Sequence, residues 1–313
     1  MTHNSKKIWL SAIYIFALCA LPAAVQAKPA QTGAHSAKRA PAPLCRTSEA
    51  HTSSISLQSS DNNRLKVARA FRAYLEKKGR DSGAVASIYK ASLKSGVDFE
   101  LLLLKAIMES DLGHYNVATG STARGLFQYI EPTWLVLMKR YGANLGYAHY
   151  ADAISFAGRT GIPYIKNKNK YLEAEILALR HDQDMSAMIK ALQIQEETQT
   201  LRNYKKGRVS ATDHYISHML GLSLARELYD LRRKNSIIAV ARLNKAAMRE
   251  AARLNKPFFY DGKRALTARE VYAKFEARVG REFKNIYNIG NTKTTICTSC
   301  FYYAINPFVL KLM

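Results

Sequence analysis

Glu109, Ser110 and Gln128 carry side chains able to hold, pass or accept a proton, and all three fall within residues 97–141, VDFELLLLKAIMESDLGHYNVATGSTARGLFQYIEPTWLVLMKRY. Residues 99–108 are apolar on nearly every face, so the helix they predict belongs inside a domain. Glu109 comes in its last turn, with Gly113 as the expected residue just past the helix end. There the negative end of the helix dipole and apolar surroundings are both expected to raise a carboxyl from its usual value of about 4.3. A carboxyl kept protonated near neutral pH can act as a general acid. The competing reading is a surface Glu109 paired with Lys105 one turn earlier, a pair contributing only about 0.2–0.5 kcal/mol. Residues 116–125, NVATGSTARG, are small and polar, as suits a loop whose backbone lies close to a ligand. Gly125-Leu126-Phe127-Gln128 follows, and Glu131-Pro132 opens the next helix with Pro at its first position.

The elements that must position these residues are helical. Leu65, Ala68, Phe71 and Leu75 recur at helical spacing over residues 64–78, a run that ends at Gly79. Residues 82–95 predict a second helix, and Gly96 with Asp98 as N-cap leads into the helix of Glu109. Residues 144–165 have fewer regular spacings and form either part of a cleft wall or a surface connection. Helical patterning returns over residues 170–206, through Leu172, Ile176, Leu179, Met185, Met188, Ile189 and Leu192, with the methionines as core filling. Thr212 or Asp213 is expected to cap the helix that bears Tyr215, His218 and Met219. Residues 236–255 set Ile237, Val240, Leu243, Ala247, Ala251 and Leu254 on one side and Arg242, Lys245, Arg249 and Arg253 on the other. Such a basic face is either simply solvated or docks on an anionic surface. No alternating run competes as a sheet, so a mainly α fold is expected.

The pattern KAIMES followed by ARGLFQYIEPTW resembles the soluble lytic murein transglycosylase family, whose marks are Glu-Ser and Gly-Leu-Met-Gln. Phe127 stands here where the family usually has Met. Residues 213–221, DHYISHMLG, are similar to one branch of that family, in which a Tyr and a His replace the commoner Tyr-Asn-Ala-Gly. Residues 256–275 resemble the end of the same branch, so the likeness covers residues 64–281. It implies a lysozyme-like (goose-type) helical domain with a substrate cleft, acting on peptidoglycan glycan strands without metal or cofactor. Glu109 would protonate the oxygen between N-acetylmuramic acid and N-acetylglucosamine, then take the proton of the sugar's own 6-hydroxyl as that oxygen attacks C1. Ser110 would hold the carboxyl or the substrate, and Gln128 would meet the sugar's polar groups. Tyr215 would stabilise charge at the anomeric centre, and Phe127 and His218 would complete the substrate contacts, Phe127 being otherwise a core residue.

Ordinary glycosidases need a second carboxylate. Asp111 points about 200° away from Glu109 around the helix, and Glu131 suits an ionised role at a helix N-terminus. A lysozyme-type hydrolase and a noncatalytic wall-binding component of a secretion apparatus remain the alternatives.

Lys6-Lys7, an apolar run over residues 8–21 and Val25-Gln26-Ala27 read as a secretory signal, residues 1–27. Residues 28–63, rich in Ala, Pro, Ser and Thr, read as a flexible linker. The catalytic domain is expected over residues 64–285, and 286–313 form a tail of different character, too short in its apolar part to span a bilayer. The whole chain carries +23, and removing the two lysines of residues 1–27 leaves 23 − 2 = +21. That charge favours anionic partners, the wall surface above all, and no nucleic-acid-reading motif accompanies it. Cys45, Cys297 and Cys300 would remain after cleavage. Cys297 and Cys300 could form a local disulfide or half a metal site. His214 and His218 lie one turn apart, but no Glu follows His214 as a zinc protease would require.

Overall fold

A computed structural model describes residues 49–290, with side chains from residue 62 onward. The signal segment, Cys45, Cys297 and Cys300 lie outside the described residues. Helix α1 (Glu49–Lys77) begins inside the stretch expected as a linker, and Val67, Phe71 and Leu75 seal one of its sides into the core. Helix α2 (Gly83–Ser95) buries Val85, Ile88 and Ala91 and stops at Gly96, which is left-handed. Asp98 then caps α3 (Phe99–Ser110), its Oδ1 accepting from the Leu101 amide at 3.0 Å. Leu101, Leu102, Leu103 and Leu104 are all buried because α2 and partners later in the chain surround α3. At about 1.5–3 kcal/mol for each leucine removed from water, these four account for much of the local stability.

The exit from α3 corrects the sequence expectation. Asp111 and Leu112 are already left-handed before Gly113, so the helix ends at Ser110 rather than running on towards the glycine. Arg80 holds the turn, bonding Asp111 through its carboxylate at 3.3 Å and through its backbone oxygen.

Helix α4 (Glu131–Tyr141) has Pro132 as its second residue, not its first. Its Trp134 is fully buried and donates to the Ile176 carbonyl at 2.7 Å. Residues 144–165 are more regular than expected: α5 (Ala148–Ala153) leads into an antiparallel hairpin of β1 (Ile154–Ala157) and β2 (Ile162–Ile165), with Ile154 opposite Ile165. The expected helical stretch 170–206 divides into α6 (Lys170–Ala178) and α7 (Gln183–Lys205), the latter capped by Asp182. Helix α8 (Ala211–Arg233) starts with a reciprocal capping box of Ser210 and Asp213, which makes Ser210 the N-cap in place of Thr212 or Asp213. Midway, Gly221 (φ 75°, ψ 156°) breaks α8 in a conformation essentially reserved for glycine.

The amphipathic segment 236–255 is α-helical only over α9 (Ala246–Leu254), with a single 3₁₀ turn over Val240–Arg242 ahead of it. Upstream of it the Val240 amide donates to the Leu266 carbonyl, and that tertiary bond draws residues 239–242 away from a continuous helix. Ile237, expected on the apolar side, is therefore 90% exposed. A short α10 (Lys256–Phe259) and a small hairpin of β3 (Tyr260–Asp261) and β4 (Arg264–Ala265) precede α11 (Ala268–Ile289). Ile286 and Tyr287 are buried on α11, so the packed unit runs past the expected boundary at 285. The fold is mainly α, with two small hairpins among the described residues where none was expected. Helix α7 lies along α2, α11 along α8, and α3 is enclosed between these pairs.

Candidate functional site

Glu109 reaches the rim of this core from the last turn of α3, its side chain only 9% exposed. His218, on the first half of α8, sets its Nε2 at 2.8 Å from Glu109 Oε1. Lys105, one turn back on α3, is buried and donates to the His214 carbonyl at 3.0 Å, so it is no surface partner for Glu109. From α7 the buried Lys190 places its ammonium over the rings of Phe127, at 5.4 Å, and Tyr129, at 4.6 Å. Glu197, two turns further along α7, faces His214 Nδ1 at 3.1 Å. The other nitrogen of that ring lies 3.0 Å from Thr198 Oγ1, whose own hydrogen is given to the Ile194 carbonyl. Both nitrogens of His214 are therefore engaged, one by Glu197 and one by Thr198.

This assembly overturns the expected direction for Glu109. Burial does push its carboxyl up, but the charge and hydrogen bond of His218, followed by the charges of Lys190 and Lys105, outweigh burial and hold it at about 2. Glu109 is an ionised base at rest, not a standing acid. Burial acts on Lys190 in the complementary sense, bringing its ammonium down to about 8 against the pull of Glu109. Glu197 is likewise held below the ordinary carboxyl range, burial being outweighed by His214, Lys105 and His218.

The other expected residues divide. Ser110 is fully buried; its Oγ donates to the Leu126 carbonyl at 2.7 Å and accepts from the Gly113 amide at 2.8 Å. It fastens the end of α3 to the following loop, and neither bond reaches the Glu109 carboxyl. Phe127 is buried too, which favours the core reading and makes it a platform for Lys190. Gln128 is left-handed (φ 47°) and half-buried, its amide nitrogen donating to the Gly125 carbonyl at 2.8 Å. Tyr215 packs edge-on against Phe258 and Phe275. Burial raises its phenol, Arg278 opposes through a hydrogen bond, and the Glu109 charge is near enough to add to the rise. His218, expected only among substrate contacts, is the direct partner of Glu109.

The loop over residues 116–125 is locked rather than loose. Its Gly125 amide donates to the Asn116 carbonyl at 2.8 Å, and Arg180 donates to the carbonyls of Thr122 and Tyr129. At Gly125 (φ +77°) an added Cβ would lie 1.8 Å from the Arg180 carbonyl oxygen, so no larger residue fits without moving backbone. Val117 and residues 119–122 are nonetheless exposed.

Lys190, Glu197 and Arg180 had no place in the sequence reading, and Lys105 entered it only as a surface partner for Glu109. One signal for them was present: Lys190 and Glu197 are seven apart on the side of α7 that also carries Ile194, where apolar residues are the norm. No protein-family model matches the chain. Among the described residues no group of three His, Cys, Asp or Glu side chains is arranged to hold a metal, and no helix is long and apolar enough to cross a membrane.

Proposed function

We propose that this chain is an exported lytic transglycosylase of the lysozyme-like (goose-type) class, working in the periplasm or at the cell wall. It cleaves the β-1,4 bond between N-acetylmuramic acid and N-acetylglucosamine in peptidoglycan glycan strands and forms 1,6-anhydro-N-acetylmuramic acid. The observation that carries this reading is convergence: three separated stretches that resemble the family's motifs meet around the C-terminal end of α3. Glu109 comes from the first stretch, Ser110 beside it is bonded to Leu126 of the second, and His218 of the third lies 2.8 Å from Glu109.

Glu109 acts as acid and then as base, and the carboxylates around it have other partners. Asp111 is held by Arg80 at 3.3 Å, and Glu131 lies 3.9 Å from Arg180. Glu197 is bonded to His214 and its carboxyl is also lowered by the charge of His218, which is the one feature favouring a water-using hydrolase instead. The +21 balance of the mature chain suits the carboxylate-bearing peptide stems of the wall. On the basic segment Arg249 donates to the Leu243 carbonyl and Arg253 to Glu250, exposed bonds with which docking on an anionic wall would compete.

Mass analysis of digested peptidoglycan tests the proposal. The wild type should release muropeptides ending in the anhydro sugar, lighter by one water than a hydrolase's products. Glu109→Gln should fold, still bind glycan, and lose activity by about 10⁴-fold, the upper end for a general acid-base group because both steps use it. Reducing ends from the wild type would favour the hydrolase and direct attention to Glu197, while undiminished cleavage by the variant would remove Glu109 from the mechanism.

A further inference from the structure

The transglycosylase reading gives Glu109 two opposite tasks, and its surroundings equip it for one. A carboxylate held ionised beside His218, Lys190 and Lys105 can serve as the acceptor but has no proton of its own to give. The bond that cleavage begins with nevertheless needs an acid. Imidazole is the side chain whose ordinary titration range falls between pH 5 and 8, and one touches the carboxylate directly.

We propose, on the basis of that reading, that His218 is the proton store of the reaction: the proton Glu109 delivers to the glycosidic oxygen comes from Nε2 of His218 and returns there after ring closure. In the starting state the imidazolium donates from Nε2 to Glu109 Oε1 across 2.8 Å. The proton crosses to Oε1, leaving a neutral ring and a carboxylic acid. Glu109 then protonates the bridging oxygen while the C1–O electron pair leaves with it, and that oxygen becomes a hydroxyl of the departing sugar. The 6-hydroxyl oxygen forms its bond to C1 and releases its proton to the Glu109 carboxylate. Transfer back to Nε2 restores the start, so no proton is consumed. His218 acts through Glu109 and is a positioning residue with respect to the sugar.

The surroundings suit a proton that moves but does not escape. Glu109 and Lys105 approach from α3, Lys190 and Glu197 from α7, and His214 and Tyr215 flank the ring on α8 itself. Tyr129 comes from the loop before α4, while Arg278 and Glu282 of α11 act through Tyr215. Two carboxylates and two ammonium groups thus surround the exchange. His218 is 20% exposed and Glu109 9%, which limits the routes by which bulk water could intercept the proton.

The test is the pH dependence of cleavage of purified sacculi by wild type and His218→Gln. Glutamine can still donate an N–H bond to Glu109 but cannot surrender a proton. The variant should be slower by about 10²- to 10⁴-fold at neutral pH, with KM little changed, and should recover as acid allows Glu109 to load from solvent. A wild-type rate, an equal loss at every pH, or a change in KM alone would each overturn the proton store. In the wild type, carboxyl ¹³C and ring ¹⁵N signals of Glu109 and His218 should report one shared titration, whatever the reaction proves to be and even if the variant does not fold. Independent titrations would overturn the store, whereas reducing-end products would count against the transglycosylase reading alone.

Discussion

The two ends of α3 both bury carboxyls, and those carboxyls respond in opposite ways. At the N-terminal end burial raises Asp98 and Glu100, Glu100 to about 8, and the charge of Asp98 adds to the rise at Glu100, while a backbone hydrogen bond and, as the one opposing cation, Arg64 hold it back. At the C-terminal end Glu109, also withdrawn from water, is held at about 2. The helix dipole predicts the reverse order, since it favours anions at the N-terminus and disfavours them at the C-terminus. Its contribution, about 0.3–1 kcal/mol, is smaller than that of a direct hydrogen-bonded or charged neighbour in a buried site. What differs between the ends is the supply of cations: His218, Lys190 and Lys105 surround one, and Arg64 alone serves the other. Desolvation sets the size of the problem at both ends, and the partners set its sign.

Removing a cation from the Glu109 end should have the largest effect on stability. Lys105→Met fits the volume but leaves the His214 carbonyl without its donor and two carboxylates less compensated, so it should cost about 3–5 kcal/mol in denaturant unfolding at pH 7. A neutral result would show that Lys105 is not part of the balance and would weaken the comparison.

Titration of stability should come next and should distinguish the ends by sign. Glu109 is depressed, so its contribution is present above the ordinary carboxyl value of 4.5 and is lost as pH falls towards 2. Glu100 is raised, so its contribution is complete below 4.5 and is lost as pH rises through about 8. Glu100→Gln, which cannot ionise, should therefore be more stable than wild type at pH 9 by roughly 2–4 kcal/mol and near equal at pH 4. Parallel stability curves over that range would contradict the assignment.

The pattern of helices was legible because it is local. Leucine and alanine runs, Asp98 at the head of α3 and Glu131-Pro132 at the head of α4 all act within a few residues of where they stand. Glu109 could be singled out for the same reason, but its charge state could not, because Lys190 comes from α7 and His218 from α8. Periodicity also overreached over residues 236–255, where the Val240 to Leu266 bond, a contact with a distant segment, decided the backbone against a continuous helix. The bonding of Ser110 was hidden for a related reason. Its neighbour in sequence is Glu109, yet its bonding partner is Leu126.

The smallest expected effect isolates charge from capping at the raised end. Asp98→Asn keeps an oxygen to accept from the Leu101 amide, so stability should change by under about 1 kcal/mol. Glu100, relieved of a neighbouring negative charge, should titrate closer to the usual carboxyl range, which NMR of its side-chain carboxyl would follow. An unchanged Glu100 would assign its rise to burial alone and narrow the comparison to solvent exclusion.

Gly125 has a consequence for anyone who would re-engineer the loop it belongs to. With no space for a methyl group against the Arg180 carbonyl, position 125 is an anchor bolt whose replacement would pull on the junction between α6 and α7. The exposed span from Val117 to Thr122, hung between that bolt and the end of α3, is where a library of variants can be drawn with the carboxylate left in register.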